Sequence, residues 1–455
     1  MINIKSDSRQ VRPGDIFIAL RGLSSDGHDY ISKAIENGAT KIIAEEGTYD
    51  VETMIVPDTR LYLEQYLANN YGDILNKMNI IGSTGTNGKT TTCYLLYQAL
   101  NLCGLKSAYM GTVGFYIEEK IKDLPNTTPD IIDIYDMIIM AYEQGCKNVV
   151  LEVSSQGIAY RRVAGIKFDY AIFSNLTKDH LDYHKTMENY AIAKQQLFIN
   201  LKKSGIAIVN IDDSYSNYFL LDDNNNKTYG FNESDYQIIE YGSKDAMTFF
   251  KYKHHEKENT LMTKLIGKYN IYNLMSMVAV LNEMKIDLEI IEKIIPSLET
   301  PSGRMDNIHY KINNIIIDYA HTPDAIANII NTVKEVTTGD MYAVFGCTGE
   351  RDRTKRPIML DIVTTECKYA IVTNDDPHEE DPNHIVADMI EGITKDNFEV
   401  ILDRKKAIIK GISLLNGNDS LLILGKGHEE FMIVGKEKIP FNDRKVVMEY
   451  LNTQD

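Results

Sequence analysis

The feature that most restricts the fold is a glycine-rich turn at residues 82–90, GSTGTNGKT, between an apolar run and a helix-forming segment. The preceding MNII predicts a buried strand, and the following TTCYLLYQAL predicts an amphipathic helix. Such a strand–loop–helix unit binds phosphate, because its backbone N–H groups and its lysine meet the oxygens. The strict pattern has a glycine where this chain has Ser83. We still predict a nucleotide site made of Gly85, Thr86, Asn87, Gly88, Lys89, Thr90 and Thr91.

Short apolar runs alternate with helix-period segments along most of the chain, which predicts an α/β fold with mostly parallel sheets. The length of 455 residues suggests about three domains. We place them at residues 1–77, 78–302 and 303–455, because ETPSGRMDN resembles a linker and strand–helix alternation restarts after it. The polar stretches within residues 212–260 are expected to be loops and edge hairpins.

Composition excludes some classes of function. The net charge of −17 argues against a nucleic-acid partner, whose binding needs a basic surface. Five scattered cysteines without metal spacing indicate a reducing compartment. The first ten residues hold no apolar segment, and no apolar stretch approaches the roughly 20 residues that a membrane span requires. We therefore expect a cytoplasmic protein without a membrane span.

The chemically loaded segments EVSSQG, SNLTKDH, GCTGERD, TNDDPH and GKGHE each follow a predicted strand, and ligands bind at that edge of an α/β sheet. Glu152 is either a metal ligand or a structurally satisfied carboxylate. Because Mg²⁺ prefers oxygen ligands, His180 taken alone is better interpreted as a structural histidine than as a metal ligand. By pattern alone, Lys194 in the helical YAIAKQQLF is a surface lysine.

The order of the motifs identifies a family. DSRQVRPGDIFIALRG, TGTNGKTTT, NTTPD, EVSSQG, NLTKDHLDYH, YAIAKQQLF, SGRM, DYAHTPDA, FGCTGERDRTKRP, TNDDPHEEDP and GKGHE resemble the Mur ligases. The likeness covers essentially the whole chain and is strongest to the members that add the third residue of the peptidoglycan stem. It implies an N-terminal UDP-binding domain, a central P-loop ATPase domain and a C-terminal Rossmann-like domain that carries the incoming amino acid.

The resemblance also implies roles for individual residues. Lys89, Glu152, His180 and Lys194 would be catalytic, and Mg²⁺ would be held by Thr90, Glu152, His180 and a carbamylated Lys194. Other residues of the ATP site would be Asn273, Arg304 and Asp318. The UDP-muramoyl-dipeptide would be held by Ser8, Ser24, Asn126, Thr127, Thr128, Ser154 and Arg162. Tyr160 stands where some relatives have glutamine, which puts that contact in doubt.

The acidic segment TNDDPHEEDP corresponds to the stretch that recognises the incoming diamino acid, with the site formed by Arg351, Asp375, Asp376, Pro377, His378, Gly425 and Glu429. Ligases that use meso-diaminopimelate commonly have D-N-P-R here, and the arginine holds a carboxylate. This chain has Asp376 and His378 at the asparagine and arginine positions. We favour meso-diaminopimelate, with L-lysine and L-ornithine as rivals. Glu380 and Asp381 are expected to be solvated charges.

The resemblance implies a reaction that joins a free diamino acid to UDP-N-acetylmuramoyl-L-Ala-D-Glu and consumes ATP. ATP would convert the D-Glu side-chain carboxylate into an acyl phosphate, which the amine then attacks. We expect a monomer. A folylpolyglutamate-synthase-like ligase is the rival enzyme, and a P-loop nucleotide-binding regulator that makes no amide is the rival from another class.

Overall fold

The computed structural model describes residues 2–22, 25–179, 181–244 and 247–453. By their internal contacts these residues group into two units. The first consists of Met1–Ile239, Tyr252–Asn259 and Tyr272–Ile294, and the second of Glu240–Lys251, Thr260–Ile271 and Ile295–Asp455.

The N-terminal sheet has four parallel strands in sequential order. They are β1 (Ile4–Lys5), β2 (Ile16–Ile18), β3 (Lys41–Ala44) and β4 (Glu52–Ile55). Two helices accompany them, α1 (Ile31–Glu36) and α2 (Thr59–Leu75). The Asp58 side chain caps α2 by accepting the backbone N–H of Leu61, which satisfies one of the free donors of the first turn.

The central sheet has eleven strands in the order β15-β14-β13-β12-β11-β10-β5-β9-β6-β7-β8. Its first members are β5 (Asn79–Thr84), β6 (Ser107–Gly111), β7 (Gly114–Ile117), β8 (Glu119–Lys122), β9 (Asn148–Glu152) and β10 (Phe168–Phe173). The others are β11 (Leu201–Asn210), β12 (Asn225–Gly230), β13 (Tyr236–Lys244), β14 (Met247–His254) and β15 (Lys257–Thr263). Strands β6, β9, β5, β10, β11, β12 and β13 run parallel, and β7 and β8 continue the sheet antiparallel.

Helices of this region follow the strands. They are α3 (Lys89–Leu102), α4 (Ile131–Glu143), α5 (Ser155–Ala159), α6 (Leu181–His184), α7 (Met187–Ile199), α8 (Lys268–Glu283) and α9 (Leu288–Ile294). The apolar face of α4 is buried through Ile134, Tyr135 and Ile138. These side chains belong to the core that also contains Val149 and Leu151 of β9.

The C-terminal sheet has six strands in the order β16-β17-β21-β18-β19-β20, parallel except for the edge strand β16. They are β16 (Asp306–Tyr310), β17 (Asn313–Asp318), β18 (Met341–Phe345), β19 (Tyr369–Val372), β20 (Phe398–Val400) and β21 (Ser420–Leu424). A small hairpin is formed by β22 (Phe431–Val434) and β23 (Glu437–Pro440). The helices are α10 (Pro323–Lys334), α11 (Lys355–Glu366), α12 (Pro382–Ile390), α13 (Arg404–Leu414) and α14 (Asp443–Leu451).

The predicted α/β class with mostly parallel sheets is confirmed, and the motifs do follow strand ends. In the region 212–260, where loops and edge hairpins were expected, NNKTYG forms β12 and the segments after it form β13 to β15, at one edge of the central sheet. Many side chains of β12, β13 and β15 are partly exposed, in keeping with their polar pattern. The domain boundaries at residues 77 and 302 remain a prediction. Among the described residues, no helix has the length and apolar character of a membrane span.

Candidate active site

The phosphate loop joins β5 to α3. Gly88, with φ of 84°, stands immediately before α3, and an added Cβ there would lie 2.6 Å from Oδ1 of Asn273. Lys89 donates to the carbonyls of Gly85 and Thr86, both at 2.9 Å. The loop is also held by the segment that follows β10, the neighbour of β5 in the sheet, because the backbone N–H groups of Thr86 and Asn87 donate to Asn175. Such a turn at a helix N-terminus suits phosphate.

Ser83 fits the position of the missing glycine for a local reason. It lies inside β5, opposite Glu152 of β9, so its backbone is an ordinary strand. After β5 a glycine is needed at Gly85, where φ is +152° and a Cβ would lie 2.0 Å from the Ser174 hydroxyl. The departure from the strict motif therefore leaves the loop unchanged.

Glu152 ends β9 with its side chain wholly buried and accepts four hydrogen bonds. Its Oε1 accepts from the Tyr109 hydroxyl (2.5 Å) and from the backbone N–H of Thr112 (2.9 Å). Its Oε2 accepts from the hydroxyls of Thr90 (2.8 Å) and Thr112 (3.1 Å). The carboxylate predicted from the sequence therefore contacts the predicted phosphate-loop threonine. The sequence analysis missed Tyr109 and Thr112, which no motif marks.

Four of the residues expected to hold the muramoyl-dipeptide cluster beside Glu152. The Thr127 hydroxyl lies 3.0 Å from that of Thr112. Thr128 donates to the Glu152 carbonyl at 2.9 Å, and its hydroxyl lies 3.0 Å from that of Ser154. Arg162 donates to the Thr128 carbonyl at 2.8 Å. The tertiary fold thus brings NTTPD and EVSSQG together.

The remaining predicted substrate contacts are more scattered. Asn126 is exposed next to Thr127. Ser8 is buried in the N-terminal domain, and its carbonyl accepts the Asn37 amide at 2.8 Å. Tyr160 lies with its ring 5.4 Å from the Arg162 guanidinium. Ser24 and His180 lie outside the described residues.

Lys194 is buried, which corrects its interpretation as a surface lysine. Its Nζ donates to the Gly85 carbonyl at 2.8 Å and lies 4.6 Å from the centre of the Tyr190 ring. Burial, and then the nearby Lys89, hold the pKa of the Lys194 amine well below its ordinary value. The helical pattern of α7 could not reveal this, because the side chain faces a loop 109 residues earlier.

A second histidine of the NLTKDHLDYH motif, His184, is buried next to Tyr190, whose hydroxyl accepts from Thr86 of the phosphate loop at 3.4 Å. Its Nε2 lies 2.9 Å from the Ser155 hydroxyl, and its ring stacks on Tyr190 at 4.9 Å. The sequence analysis did not assign a role to His184 or Ser155.

Three residues from later segments, Asn273, Arg304 and Asp318, were also predicted to belong to the nucleotide site. Asn273 accepts the Thr92 hydroxyl at 3.1 Å and so lies at the start of α3. Arg304 lies over the Tyr319 ring at 4.9 Å. Asp318 ends β17 and accepts the backbone N–H groups of Met305 and Ala320, both at 2.8 Å, while burial raises its pKa.

The C-terminal unit gathers Asp375, Asp376 and Glu429, whose carboxylates all lie within 4.8 Å of one another; we name these three the acidic cluster. The buried Lys426 neutralises part of their charge. Its Nζ lies 2.7 Å from Asp376 and from Glu429, and 3.9 Å from Asp375. Burial raises the pKa of Asp375 and of Glu429. Gly425 lies against this cluster, since an added Cβ would be 2.3 Å from Asp375 Oδ2.

The segment that carries the acidic cluster is held by the β22–β23 hairpin. The Ile433 N–H donates to Asp376 Oδ1 at 2.8 Å. Pro377 is buried, and His378 adopts a left-handed φ of 52°. The backbone of His378 exchanges hydrogen bonds with Ile433 and Gly435. Arg351, expected at this site, is exposed.

Of the two charges expected to be solvated, Asp381 is exposed, whereas Glu380 is paired with an arginine. Both oxygens of Glu380 bind the wholly buried Arg356 at 2.8 Å, and this pairing lowers the pKa of Glu380 to about 2. Asp381 caps α12 by accepting the Asn383 N–H. The expectation was wrong for Glu380 because its arginine partner lies 24 residues earlier in sequence.

A buried arginine, Arg404, ties the recognition segments to each other. It donates to the carbonyls of Asn374 (3.1 Å) and Leu424 (2.9 Å), which directly precede Asp375 and Gly425. It also pairs with the buried Asp443 at 2.7 and 2.8 Å.

The donors around Glu152 fit Mg²⁺. A buried carboxylate oxygen and the hydroxyls of Thr90 and Thr112 converge beside the phosphate loop, and hard oxygen atoms are the ligands that this ion prefers. The Lys194 amine would join such a set only as a carbamate, which is an oxygen donor.

Three family profiles match the chain. They are described as "Mur ligase family, catalytic domain" (residues 2–71), "Mur ligase middle domain" (residues 84–281) and "Mur ligase, glutamate ligase domain" (residues 303–427).

Individual relatives are similar over nearly the whole chain. A protein of Bacillus cereus named UDP-N-acetylmuramoyl-L-alanyl-D-glutamate–2,6-diaminopimelate ligase is 38% identical over 98% of this chain and 93% of its own length. A protein of the same name from Aquifex aeolicus is 37% identical over 98% of this chain and 93% of its own. A solved structure under that name is 31% identical, covers 99% of this chain and 94% of its own, and superimposes with a TM-score of 0.73. The chain therefore belongs to the Mur ligase family.

Proposed function

We propose that the chain uses ATP to join meso-2,6-diaminopimelate to the D-Glu side-chain carboxylate of UDP-N-acetylmuramoyl-L-Ala-D-Glu, in peptidoglycan precursor synthesis. The names of the relatives over 98% of the chain support both substrates. The observation that carries the proposal is the buried Glu152 carboxylate 2.8 Å from the Thr90 hydroxyl of the phosphate loop. This arrangement suits phosphoryl transfer with a divalent ion.

The chain's own residues would prepare the first step by binding and orienting. The loop N–H groups and Lys89 would hold the outer phosphates of ATP. A bound Mg²⁺, held by Thr90, Glu152, His180 and the Lys194 carbamate, would neutralise charge on the transferred phosphoryl group. Thr127, Thr128, Ser154 and Arg162 would orient the dipeptide beside this centre. A D-Glu carboxylate oxygen then bonds to the γ-phosphorus, and ADP leaves.

The second step forms the amide. The amine of the incoming residue attacks the carbonyl carbon of the acyl phosphate, the C–O bond to phosphate breaks, and the amine loses a proton. Exclusion of water from the site would protect the acyl phosphate from hydrolysis.

Carbamylation of Lys194 has a physical basis in its surroundings. Carbon dioxide reacts with a neutral amine, and burial depresses the pKa of Lys194 so that the neutral form is favoured. Lys89 and the unmodified Lys194 both donate to the Gly85 carbonyl. The carbamate of Lys194 would carry a negative charge that attracts the positive charge of Lys89.

The acidic cluster supports a cationic amino acid. Lys426 offsets one of its three charges, and the nearby Arg404 is itself paired with Asp443, so a negative charge remains for an ammonium group of the substrate. His378 would take the place of the arginine that meets the distal carboxylate of diaminopimelate. L-Lysine and L-ornithine, which have no distal carboxylate, are the second candidates, and the absence of an arginine at position 378 favours them.

The test offers purified protein ATP, Mg²⁺, UDP-N-acetylmuramoyl-L-Ala-D-Glu and, separately, meso-diaminopimelate, L-lysine or L-ornithine. Mass spectrometry identifies the tripeptide, and ADP release gives the rate. We expect the diaminopimelate product to form fastest. A faster lysine or ornithine reaction would assign the diamino acid differently and leave the ligase intact. No product with any of them, despite nucleotide binding, would favour a regulator.

A further inference from the structure

Tyr109 is a buried tyrosine that shares a hydrogen bond with the proposed metal-binding carboxylate. Tyr109 lies in β6, opposite Val150 of the neighbouring strand β9. Its hydroxyl donates to Glu152 Oε1 at 2.5 Å, and both side chains are wholly buried. No motif of the family likeness includes this residue.

The two oxygens of Glu152 have different surroundings. Oε1 is bound by the Tyr109 hydroxyl and by the rigid backbone N–H of Thr112. Among the residues that the structure describes, Oε2 is hydrogen-bonded only by hydroxyls, those of Thr90 and Thr112. A hydroxyl oxygen can bind a cation while its hydrogen turns elsewhere, whereas a backbone N–H cannot. Oε2 is therefore the oxygen that can accept a metal ion without loss of its neighbours.

Oε1 and the Tyr109 hydroxyl are packed closely against the backbone at Gly111. A Cβ at Gly111 would lie 2.1 Å from Oε1 and 2.5 Å from the Tyr109 hydroxyl. The Tyr109 ring is itself enclosed by those of Tyr94, Tyr97 and Tyr116, with centroids 5.6 to 6.1 Å away. The phenol oxygen is thus held in place by packing before any ligand binds.

We propose that Tyr109 is a positioning residue for the nucleotide-bound divalent ion: it fixes Oε1 of Glu152 so that Oε2 points at the phosphate loop. This inference rests on the proposed function, because it takes Glu152 as a metal ligand. Loss of a partner that orients a metal ligand typically lowers metal affinity or activity by 10–100-fold.

The test compares Tyr109→Phe with Tyr97→Phe. Both variants keep an aromatic ring in the same cluster and lose one hydroxyl, but that of Tyr97 donates to the Glu118 carbonyl at 3.2 Å and not to Glu152. The affinity of a fluorescent ADP analogue is measured in EDTA and over a Mg²⁺ titration. The KM for Mg²⁺ and kcat at saturating Mg²⁺ are determined in the ligase assay.

We expect all three proteins to bind the analogue equally in EDTA. Tyr109→Phe should need about tenfold or more Mg²⁺ for the same tightening, with kcat at saturating Mg²⁺ changed much less, and Tyr97→Phe should match the parent chain. Equal Mg²⁺ dependence of Tyr109→Phe and the parent would overturn the inference. If the parent chain forms the tripeptide but Mg²⁺ does not tighten its nucleotide binding, the proposed function stands and the role of Tyr109 is overturned. If the parent chain forms no tripeptide, the proposed function itself fails.

Discussion

Replacement of Arg404 by methionine should strongly destabilise the C-terminal domain. Arg404 and Asp443 are both wholly buried and make two hydrogen bonds to each other. Methionine fills a similar volume but leaves the Asp443 carboxylate buried without its cation. Breaking a buried pair in this way costs roughly 3–5 kcal/mol. With about 2–4 °C lost per kcal/mol in a domain of this size, Tm should fall by about 6–20 °C.

The neighbouring Lys405 provides a matched control. It also pairs from α13 with a carboxylate of α14, Glu449, at 3.0 Å, but both side chains are more than half exposed. Lys405→Met should therefore change the free energy of unfolding by about 1 kcal/mol or less. The same substitution on adjacent residues of one helix then isolates the effect of burial.

Calorimetry and urea unfolding of the full chain would measure the two variants. The double variant Arg404→Met with Asp443→Leu should recover a large part of the loss, because no charge then remains buried. Arg404→Met should also raise the KM for the diamino acid, since the lost bonds to the Asn374 and Leu424 carbonyls position Asp375 and Gly425. A Tm loss equal to that of Lys405→Met, or no recovery in the double variant, would refute this reasoning.

Three further predictions concern single groups. Activity should fall in carbon-dioxide-free buffer and return when bicarbonate is added. The recovery should be more complete at pH 8 than at pH 6, because acid removes the carbamate of Lys194. Intact-mass measurement of the added group checks this. Arg356 holds the pKa of Glu380 at about 2, below its ordinary 4.5, so this pairing stabilises the fold above pH 4.5 and the effect is lost towards pH 2. Glu380→Gln should thus lower the free energy of unfolding, measured with urea, by about 2 kcal/mol at pH 7 and by less in acid. In the control Glu379→Gln, at an exposed neighbouring position, this free energy should change by under about 0.5 kcal/mol. His378→Arg should lower the KM for meso-diaminopimelate and leave that for L-lysine unchanged or higher, as measured by ADP release with each substrate; equal changes for both would mean that position 378 does not meet the distal carboxylate.

Local pattern predicted much of the architecture. The runs around NIIGST, NVVLE, YAIVT and SLLIL form β5, β9, β19 and β21, because a buried parallel strand needs a short apolar run whatever its neighbours are. The phosphate loop was predictable for the same reason. Its glycines, its lysine and its helix lie within one continuous segment, so no distant residue is needed to recognise it.

The edge strands and the fate of individual charges were harder to predict. Strands β12, β13 and β15 are largely polar and partly exposed, so the sequence predicted loops and edge hairpins in this region without separating the strands from the loops. Glu380 belongs to a run of acidic residues that is indistinguishable from a solvated segment until Arg356 is placed against it.

The sequence by itself determined the α/β class, the phosphate loop and membership of the Mur ligase family, because each depends on order and spacing along the chain. Only the tertiary structure decided that Lys194 is buried against Gly85, that Lys426 neutralises Asp376 and Glu429, and that Tyr109 binds Glu152. In sequence, Tyr109 and Glu152 are 43 positions apart, Lys426 and Asp376 are 50 apart, and Gly85 and Lys194 are 109 apart. The energy of a charge depends on burial and on the partner that meets it, and both are set when the sheets assemble.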